Sequence, residues 1–269
     1  MNGKGDKWRG GWTPQYESNF NKIFGDKMKK IYIFDVDGTL TPSRQFMTKD
    51  FAKFFDKWSN ENKYYLVTGS DLDKTKEQLP IAYIDRAQGI FTCCGNQFYI
   101  NDKLIYENKF NPPQNLLTYL GEQLRMSDYF ARCGNHIENR GSMLNFSIVG
   151  RDCTLEERAN YFEYDCKFKE RETIASYIRN SWTDLDAVIG GQISIDIYPK
   201  GMDKSQIFEH IEKIENIYCP DEYHFLGDRT MEGGNDYPLA VLMDNTNNCD
   251  FHQTEGPENT QQILEKLSD

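Results

Sequence analysis

The chain has 269 residues, room for one large or two modest domains, and 38% hydrophobic residues suffice for a core. A net charge of −11 argues against nucleic acid as the main partner, because phosphate backbones are bound by basic surfaces. No apolar run approaches the roughly 20 residues of a bilayer span, and the N-terminus lacks an apolar signal core, so neither membrane nor secretion is expected.

Residues 1–29 are polar and glycine-rich without periodicity and read as a flexible extension, although Trp8, Trp12 and Tyr16 suggest that part of it docks on the domain or on a partner. The apolar run Ile31-Tyr32-Ile33-Phe34 reads as a buried strand ending in Asp35-Val36-Asp37-Gly38-Thr39. In open parallel sheets the crevice beyond the carboxyl ends of the strands holds the ligand. Asp35 and Asp37 share a face of an extended chain, and their mutual repulsion makes a bound Mg²⁺ the natural compensation. A plain strand followed by an Asp-Gly turn is the bland alternative.

Phe51, Phe54, Phe55 and Trp58 recur at helical spacing, so the segment 50–58 is predicted to cover the sheet as a helix. A second apolar run, Tyr64–Val67, ends in Thr68-Gly69-Ser70-Asp71, whose hydroxyls and loop amides suit a phosphate, and 71–79 follows as a more polar helix. This β-α-β-α order begins a doubly wound sheet.

From about 97 to 198 the pattern changes and reads as an inserted α+β domain, with 30–96 and 199–269 forming the core. In Ile193-Ser194-Ile195-Asp196-Ile197-Tyr198 a period of two puts Ser194 and Asp196 on one polar face above buried isoleucines, and the segment from Met143 to Ile148 repeats the pattern with Asn145 and Ser147. Such a sheet offers a polar platform to a sugar or is simply a solvated outer face. Arg140 precedes the Met143 strand, Arg151 closes it, and Thr154-Leu155-Glu156-Glu157 is a capping box that sets Arg158 just past the first helical turn. These arginines suit bidentate phosphate binding, or salt bridges to Asp152, Glu156 and Glu157. Downstream, Asp203 is an expected N-cap for a helix from Lys204, and Tyr223–Leu226 is a strand delivering Gly227-Asp228, with Gly233-Gly234-Asn235-Asp236 shortly after. Seven cysteines without metal-type spacing read as reduced thiols in a cytoplasmic compartment, and four scattered histidines make neither a zinc pattern nor a triad.

The ordered set of D-V-D-G-T, T-G-S-D, Lys204 and Gly227-Asp228 resembles the motifs of the haloacid dehalogenase superfamily. The wider series is similar to eukaryotic-type phosphomannomutases. It comprises Phe34–Pro42 with Arg44, Gly69-Ser70-Asp71, Arg140 before Met143-Leu144-Asn145, Gly150–Arg158, Gly190–Ser194 with Asp196, Asp203-Lys204, Phe225–Met231, and Gly233–Asp236. The chain differs from that family at Cys93-Cys94-Gly95-Asn96, where a Glu-Asn-Gly hinge is usual, and after Asp236, where a second, structural cation is usual.

The resemblance implies an α/β fold, a Rossmann-like doubly wound parallel-sheet core carrying an inserted α+β cap of type IIB. Asp35 is the implied nucleophile, forming an aspartyl-phosphate, and Asp37 the general acid/base. Mg²⁺ is implied at Asp35, Asp228 and the backbone carbonyl of Asp37. Arg44, Ser70, Arg140, Arg151, Arg158, Ser194, Asp196 and Lys204 are implied substrate-binding residues, with Asn235 and Asp236 in support. The implied reaction interconverts mannose 6-phosphate and mannose 1-phosphate for GDP-mannose synthesis, primed by a hexose 1,6-bisphosphate, in a cytoplasmic homodimer formed through the cap. A sugar-phosphate phosphatase using the same Asp nucleophile is the alternative.

Overall fold

The computed structural model describes residues 30–43, 45–215 and 222–268, so the expected N-terminal extension, 1–29, and Arg44 lie outside the described residues. No helix among the described residues is long and apolar enough to cross a membrane.

Five parallel strands form the centre of the molecule: β1 (Lys30–Asp35), β2 (Lys63–Val67), β3 (Ile90–Thr92), β10 (Glu222–Gly227) and β11 (Cys249–Gln253). Two antiparallel strands, β4 (Gln97–Ile100) and β5 (Lys103–Glu107), extend them into a seven-stranded sheet of order β11-β10-β1-β2-β3-β4-β5. Successive side chains of an apolar strand bury on opposite faces. Tyr32 and Phe34 thus join Tyr64 and Leu66 beneath α1 (Lys49–Glu61), α3 (Ile81–Arg86) and α9 (Pro257–Ser268). Ile31, Ile33, Tyr65 and Phe225 meet α7 (Gln206–Glu215) and α8 (Tyr237–Asp244) on the other face. The core is therefore doubly wound, as expected.

The aromatic stripe of α1 is core. Phe55 is fully buried and its ring contacts those of Phe34, Phe51, Trp58, Tyr64 and Tyr83. Truncating such a residue to alanine costs about 3–5 kcal/mol. Thr48 caps α1 by accepting from the Phe51 amide, and Asp71 caps α2 (Leu72–Gln78) by accepting from the Lys74 amide.

The smaller unit is a four-stranded antiparallel sheet of order β6-β7-β9-β8, built from β6 (Ile137–Asn139), β7 (Leu144–Phe146), β8 (Leu185–Gly190) and β9 (Ser194–Pro199). Leu144, Phe146, Ile195 and Ile197 pack beneath it with residues of α4 (Gln114–Met126), α5 (Leu155–Phe168) and α6 (Glu170–Ser181). This alternation leaves Asn145, Ser194 and Asp196 on the face turned to the larger sheet.

Three expectations need correction. The inserted unit does not begin at 97, because β4 and β5 form a hairpin that adds to the large sheet through β3; its tight turn at Asn101 and Asp102 has φ of 48° and 61°, the region that Asn and Asp tolerate best. The helix expected from Lys204 starts at Gln206, and Asp203 instead accepts from the Ser205 amide at 2.8 Å within the preceding turn. The strand expected over 143–148 is only Leu144–Phe146, since the Ser147 hydroxyl accepts from the Gly150 amide at 3.2 Å and turns the chain.

Candidate active site

Parallel pairing brings the carboxyl ends of β1, β2 and β10 side by side, and with them Asp35, the loop Thr68-Gly69-Ser70, and Asp228. Asp37 follows on the β1 loop, where its Oδ1 accepts from Gln78 Nε2 at 2.8 Å. Gly38 makes the loop possible: its φ is +86°, and an added Cβ would stand 2.5 Å from Asp228 Oδ2.

Lys204 is the only lysine side chain wholly buried among the described residues, and its Nζ donates to Asp35 Oδ1 and Asp236 Oδ1, each at 2.6 Å. Burial works against its charge, yet the carboxylates of Asp236 and Asp35 outweigh burial and hold it as an ammonium. Asp236 Oδ2 also accepts from the Arg229 amide at 2.9 Å, which fixes the loop after β10. Burial pushes the Asp35 carboxyl well above the usual range, partly offset by Lys204. Asp228 is pushed up to about 7, chiefly by burial and then by Asp236.

The carboxylate oxygens of Asp35, Asp228 and Asp236 lie within 4.8 Å of one another. Three acids face Lys204 and, at the rim, Arg229, whose Nε is 3.4 Å from Asp228 Oδ2, so fully ionised the acids still carry an excess negative charge in a largely buried cluster. Oxygen donors with that excess fit a hard divalent cation such as Mg²⁺. The side chain of Asp37 is not in this cluster.

The smaller unit supplies the opposite wall. Arg140 is buried, donates to Gly69 O across the two units, and contacts Glu138 Oε2 from Nε at 2.9 Å and from Nη2 at 2.6 Å. Arg151 Nε is buried without a hydrogen-bond partner among the described residues, 3.8 Å from Glu138 Oε2. Arg158 follows the capping box Thr154–Glu157, which is present with both reciprocal bonds. Burial lowers the proton affinity of Arg151 and Arg158, so an anion between them is favoured.

On β9, the Ser194 hydroxyl donates to Gly190 O at 2.7 Å, and Asp196 Oδ1 accepts from Asn145 Nδ2 at 2.6 Å. Burial raises the Asp196 carboxyl, against the pull of Arg140. Gly190 must lack a side chain, since a Cβ there would meet Asp196 Oδ2 at 2.5 Å. Arg171, paired with Asp165, donates to Gly191 O at 3.0 Å and to Ser194 O at 3.3 Å, and so holds the turn that presents Gln192.

Asp35, Asp37, Ser70, Arg140, Arg151, Arg158, Ser194, Asp196, Asp228 and Asn235 all line one cavity of about 50 Å³, with Lys204 and Asp236 directly behind Asp35. The two units are in contact around it, through Arg140 on Gly69 O, Lys74 on Glu138, and the Ile189 amide, which donates to Gly233 O at 3.0 Å. A cavity of about 610 Å³ adjoins it, sharing Ser43, Arg158, Gly191, Gln192 and Asp228. Sequence reasoning missed Glu138, Gln192 and Lys74, which joins Glu138 across the cleft. Glu138 sits on a strand too short for alternation to be visible.

This architecture, with its paired Asp loop, buried lysine and second acidic loop at adjacent strand ends, defines a haloacid dehalogenase-like protein. Solved structures agree on the fold: the subclass IIB sugar phosphatase BT4131 of that superfamily superimposes with a TM-score of 0.55 at 12% identity, over 89% of this chain and 99% of that one. The C-terminal domain of trehalose-6-phosphate phosphatase from C. albicans does so at 0.58 and 15%, over 93% and 96%. Residues 51–269 match the family model of eukaryotic phosphomannomutase. The phosphomannomutase of Encephalitozoon cuniculi is 39% identical over 78% of this chain and 84% of its own length, and that of Saccharomyces cerevisiae 33% over 91% and 96%. The chain belongs to the eukaryotic phosphomannomutase family.

Proposed function

We propose that this chain is a phosphomannomutase that interconverts mannose 6-phosphate and mannose 1-phosphate, supplying GDP-mannose synthesis. One observation carries the reading: Asp35, backed by Lys204, faces Arg140, Arg151 and Arg158 across a single cavity. A mutase needs two anion sites, one that reacts and one that grips the idle phosphate.

Asp35 attacks phosphorus, becoming an aspartyl-phosphate, and splits one hard transfer between hydroxyls into two easier displacements. Asp37 gives a proton to the leaving sugar oxygen and takes one from the incoming hydroxyl, while Gln78 holds its carboxylate in place. Lys204 and the Ser70 loop hold the phosphoryl oxygens, Lys204 also balancing their charge, and Asp236 orients Lys204. Asn235 lines the same pocket beside them. Asp35, Asp228 and the backbone carbonyl of Asp37 would hold a Mg²⁺, which would supply charge neutralisation at the transferring group. The three cap arginines bind the other phosphate, and Ser194 and Asp196 bind the sugar.

A hexose 1,6-bisphosphate primes the enzyme by phosphorylating Asp35. Closure excludes water from the aspartyl-phosphate, since leakage to water is phosphatase activity. A homodimer through the cap is supported by aromatic surface there: Phe130 is 88% and Phe168 55% exposed, beside Tyr129 and Tyr164. A cytoplasmic setting is supported by the six described cysteines, all free.

The test follows mannose 6-phosphate and inorganic phosphate together, starting from mannose 1-phosphate, Mg²⁺ and a trace of glucose 1,6-bisphosphate. Bisphosphate-dependent isomerisation with little phosphate release, lost in Asp35→Asn, is expected. Steady phosphate release without isomerisation would replace the mutase reading by a phosphatase.

A further inference from the structure

At the β11 edge of the large sheet, β10 and β11 place two short sequences side by side. Glu222-Tyr223-His224 begins β10, Asp250-Phe251-His252 runs along β11, and the parallel register sets His224 against Asp250. Residues two apart on a strand share a face, so Glu222, His224, Asp250 and His252 form a compact patch on one side of the sheet.

The donor atoms converge. Glu222, His224 and Asp250 each bring a ligand atom within 4.8 Å of the other two. His224 Nε2 lies 3.2 Å from Glu222 Oε1, yet that nitrogen is buried and makes no hydrogen bond among the described residues. Donor atoms about 3.3 Å apart are what a tetrahedral ion with ~2.0 Å bonds requires. The other ring nitrogen, His224 Nδ1, is 3.2 Å from His252 Nε2. If Nδ1 carries the proton and donates to His252, the Nε2 lone pair faces the Glu222 carboxylate and calls for a cation between them. A ligating histidine typically gives its second N–H to an acceptor in this way. The Tyr32 ring stacks on His224 at 5.3 Å and fixes the imidazole plane. Lys30, opposite Glu222 on β1, is the nearby positive charge, and its Nζ is engaged by Leu267 O at 2.6 Å.

We propose that Glu222, His224 and Asp250 form a zinc-class divalent site, with His252 orienting His224 and water completing the coordination. Mixed imidazole and carboxylate donors favour Zn²⁺ over Mg²⁺. The ion would tie the edge strand β11 to β10, the strand that delivers Asp228, and so brace this edge of the sheet.

The test uses chelator-treated full-length protein in saturating Mg²⁺, titrated with Zn²⁺ by calorimetry. One equivalent of zinc is expected, weakened at least tenfold in Asp250→Asn and in Glu222→Gln and kept in Asp228→Asn. Asp250 is exposed, so its variant is expected to fold normally, and circular dichroism checks that it does. X-ray absorption of the zinc-loaded protein should show one imidazole with oxygen ligands and no sulfur. The proposal fails if no equivalent binds, if binding survives Asp250→Asn and Glu222→Gln, if Asp228→Asn removes it, or if the spectrum shows a thiolate.

Discussion

Glu138 holds Arg140 by a forked contact, with its Oε2 2.9 Å from Nε and 2.6 Å from Nη2 of the guanidinium. The same carboxylate reaches Lys74 of the core and stands 3.8 Å from Arg151 Nε. It thus occupies the cation cluster in the way a phosphate would, and it bridges the two units while the cleft is closed.

Glu138→Gln is therefore expected to tighten binding of the hexose phosphate. Removing one negative charge from a partly exposed cluster is worth up to ~1 kcal/mol, or about a fivefold fall in KM. Steady-state kinetics at low and high salt check this, because the gain should shrink as salt screens the cluster. A rise in KM would mean that Glu138 serves mainly to orient Arg140.

Lys204→Met should both inactivate and destabilise. It leaves Asp35 and Asp236 buried against each other without their shared ammonium, and breaking a buried charge pair in this way costs about 3–5 kcal/mol. Urea denaturation measures the loss. Double substitution with Asp236→Leu should recover part of the stability and none of the turnover, since the phosphoryl oxygens still lack their lysine.

Much of this site was legible because its residues end apolar runs. Four buried residues followed by a polar loop mark the carboxyl end of a strand, and Asp35, Ser70 and Asp228 were found that way. The capping box before Arg158 and the alternation around Asp196 are equally local. What was not legible depends on pairing between distant segments. Glu138 meets Lys74 of the core and Arg151 of the next loop only once the units are folded together, and His224 meets His252 only because β10 and β11 align in one register. The change of sequence pattern at about 97 puts the β4–β5 hairpin with the inserted unit, and only its pairing through β4 to β3 shows that it belongs to the large sheet.

Arg151→Lys should separate binding from chemistry. Arg151 is buried with Nε unsatisfied, and a lysine cannot offer the planar pair of donors that a phosphate accepts. KM for either hexose monophosphate is expected to rise by about tenfold or more, equivalent to ~1.4 kcal/mol or one charge-assisted hydrogen bond. Phosphorylation of Asp35 by a small donor such as acetyl phosphate, which needs no distal grip, should be unchanged. Loss of both would place Arg151 at the reacting phosphate instead.

The acidic cluster makes a prediction about pH that runs opposite to most carboxylates. Asp228 is pushed up to about 7 in the folded protein, by burial first and Asp236 second, whereas an unfolded aspartate titrates near ~4. Between those values the metal-free native state holds a proton that the unfolded chain has lost, so this group's contribution is full below ~4 and disappears as pH rises through 7. Asp35 is shifted in the same direction. In the presence of EDTA the urea midpoint of the wild type should therefore fall between pH 5 and 7.5, relative to Asp228→Asn, which has no proton to release. Mg²⁺ should reverse the trend, because it replaces the proton among the carboxylates. Its apparent Kd is expected to tighten by up to about tenfold per pH unit below 7 if one proton is displaced per ion. Calorimetry in two buffers of different ionisation enthalpy counts that proton directly. A midpoint that rises from pH 5 to 7.5 without metal, in step with Asp228→Asn, would mean that Asp228 is already ionised at pH 5 and that burial raises its proton affinity less than the structure implies.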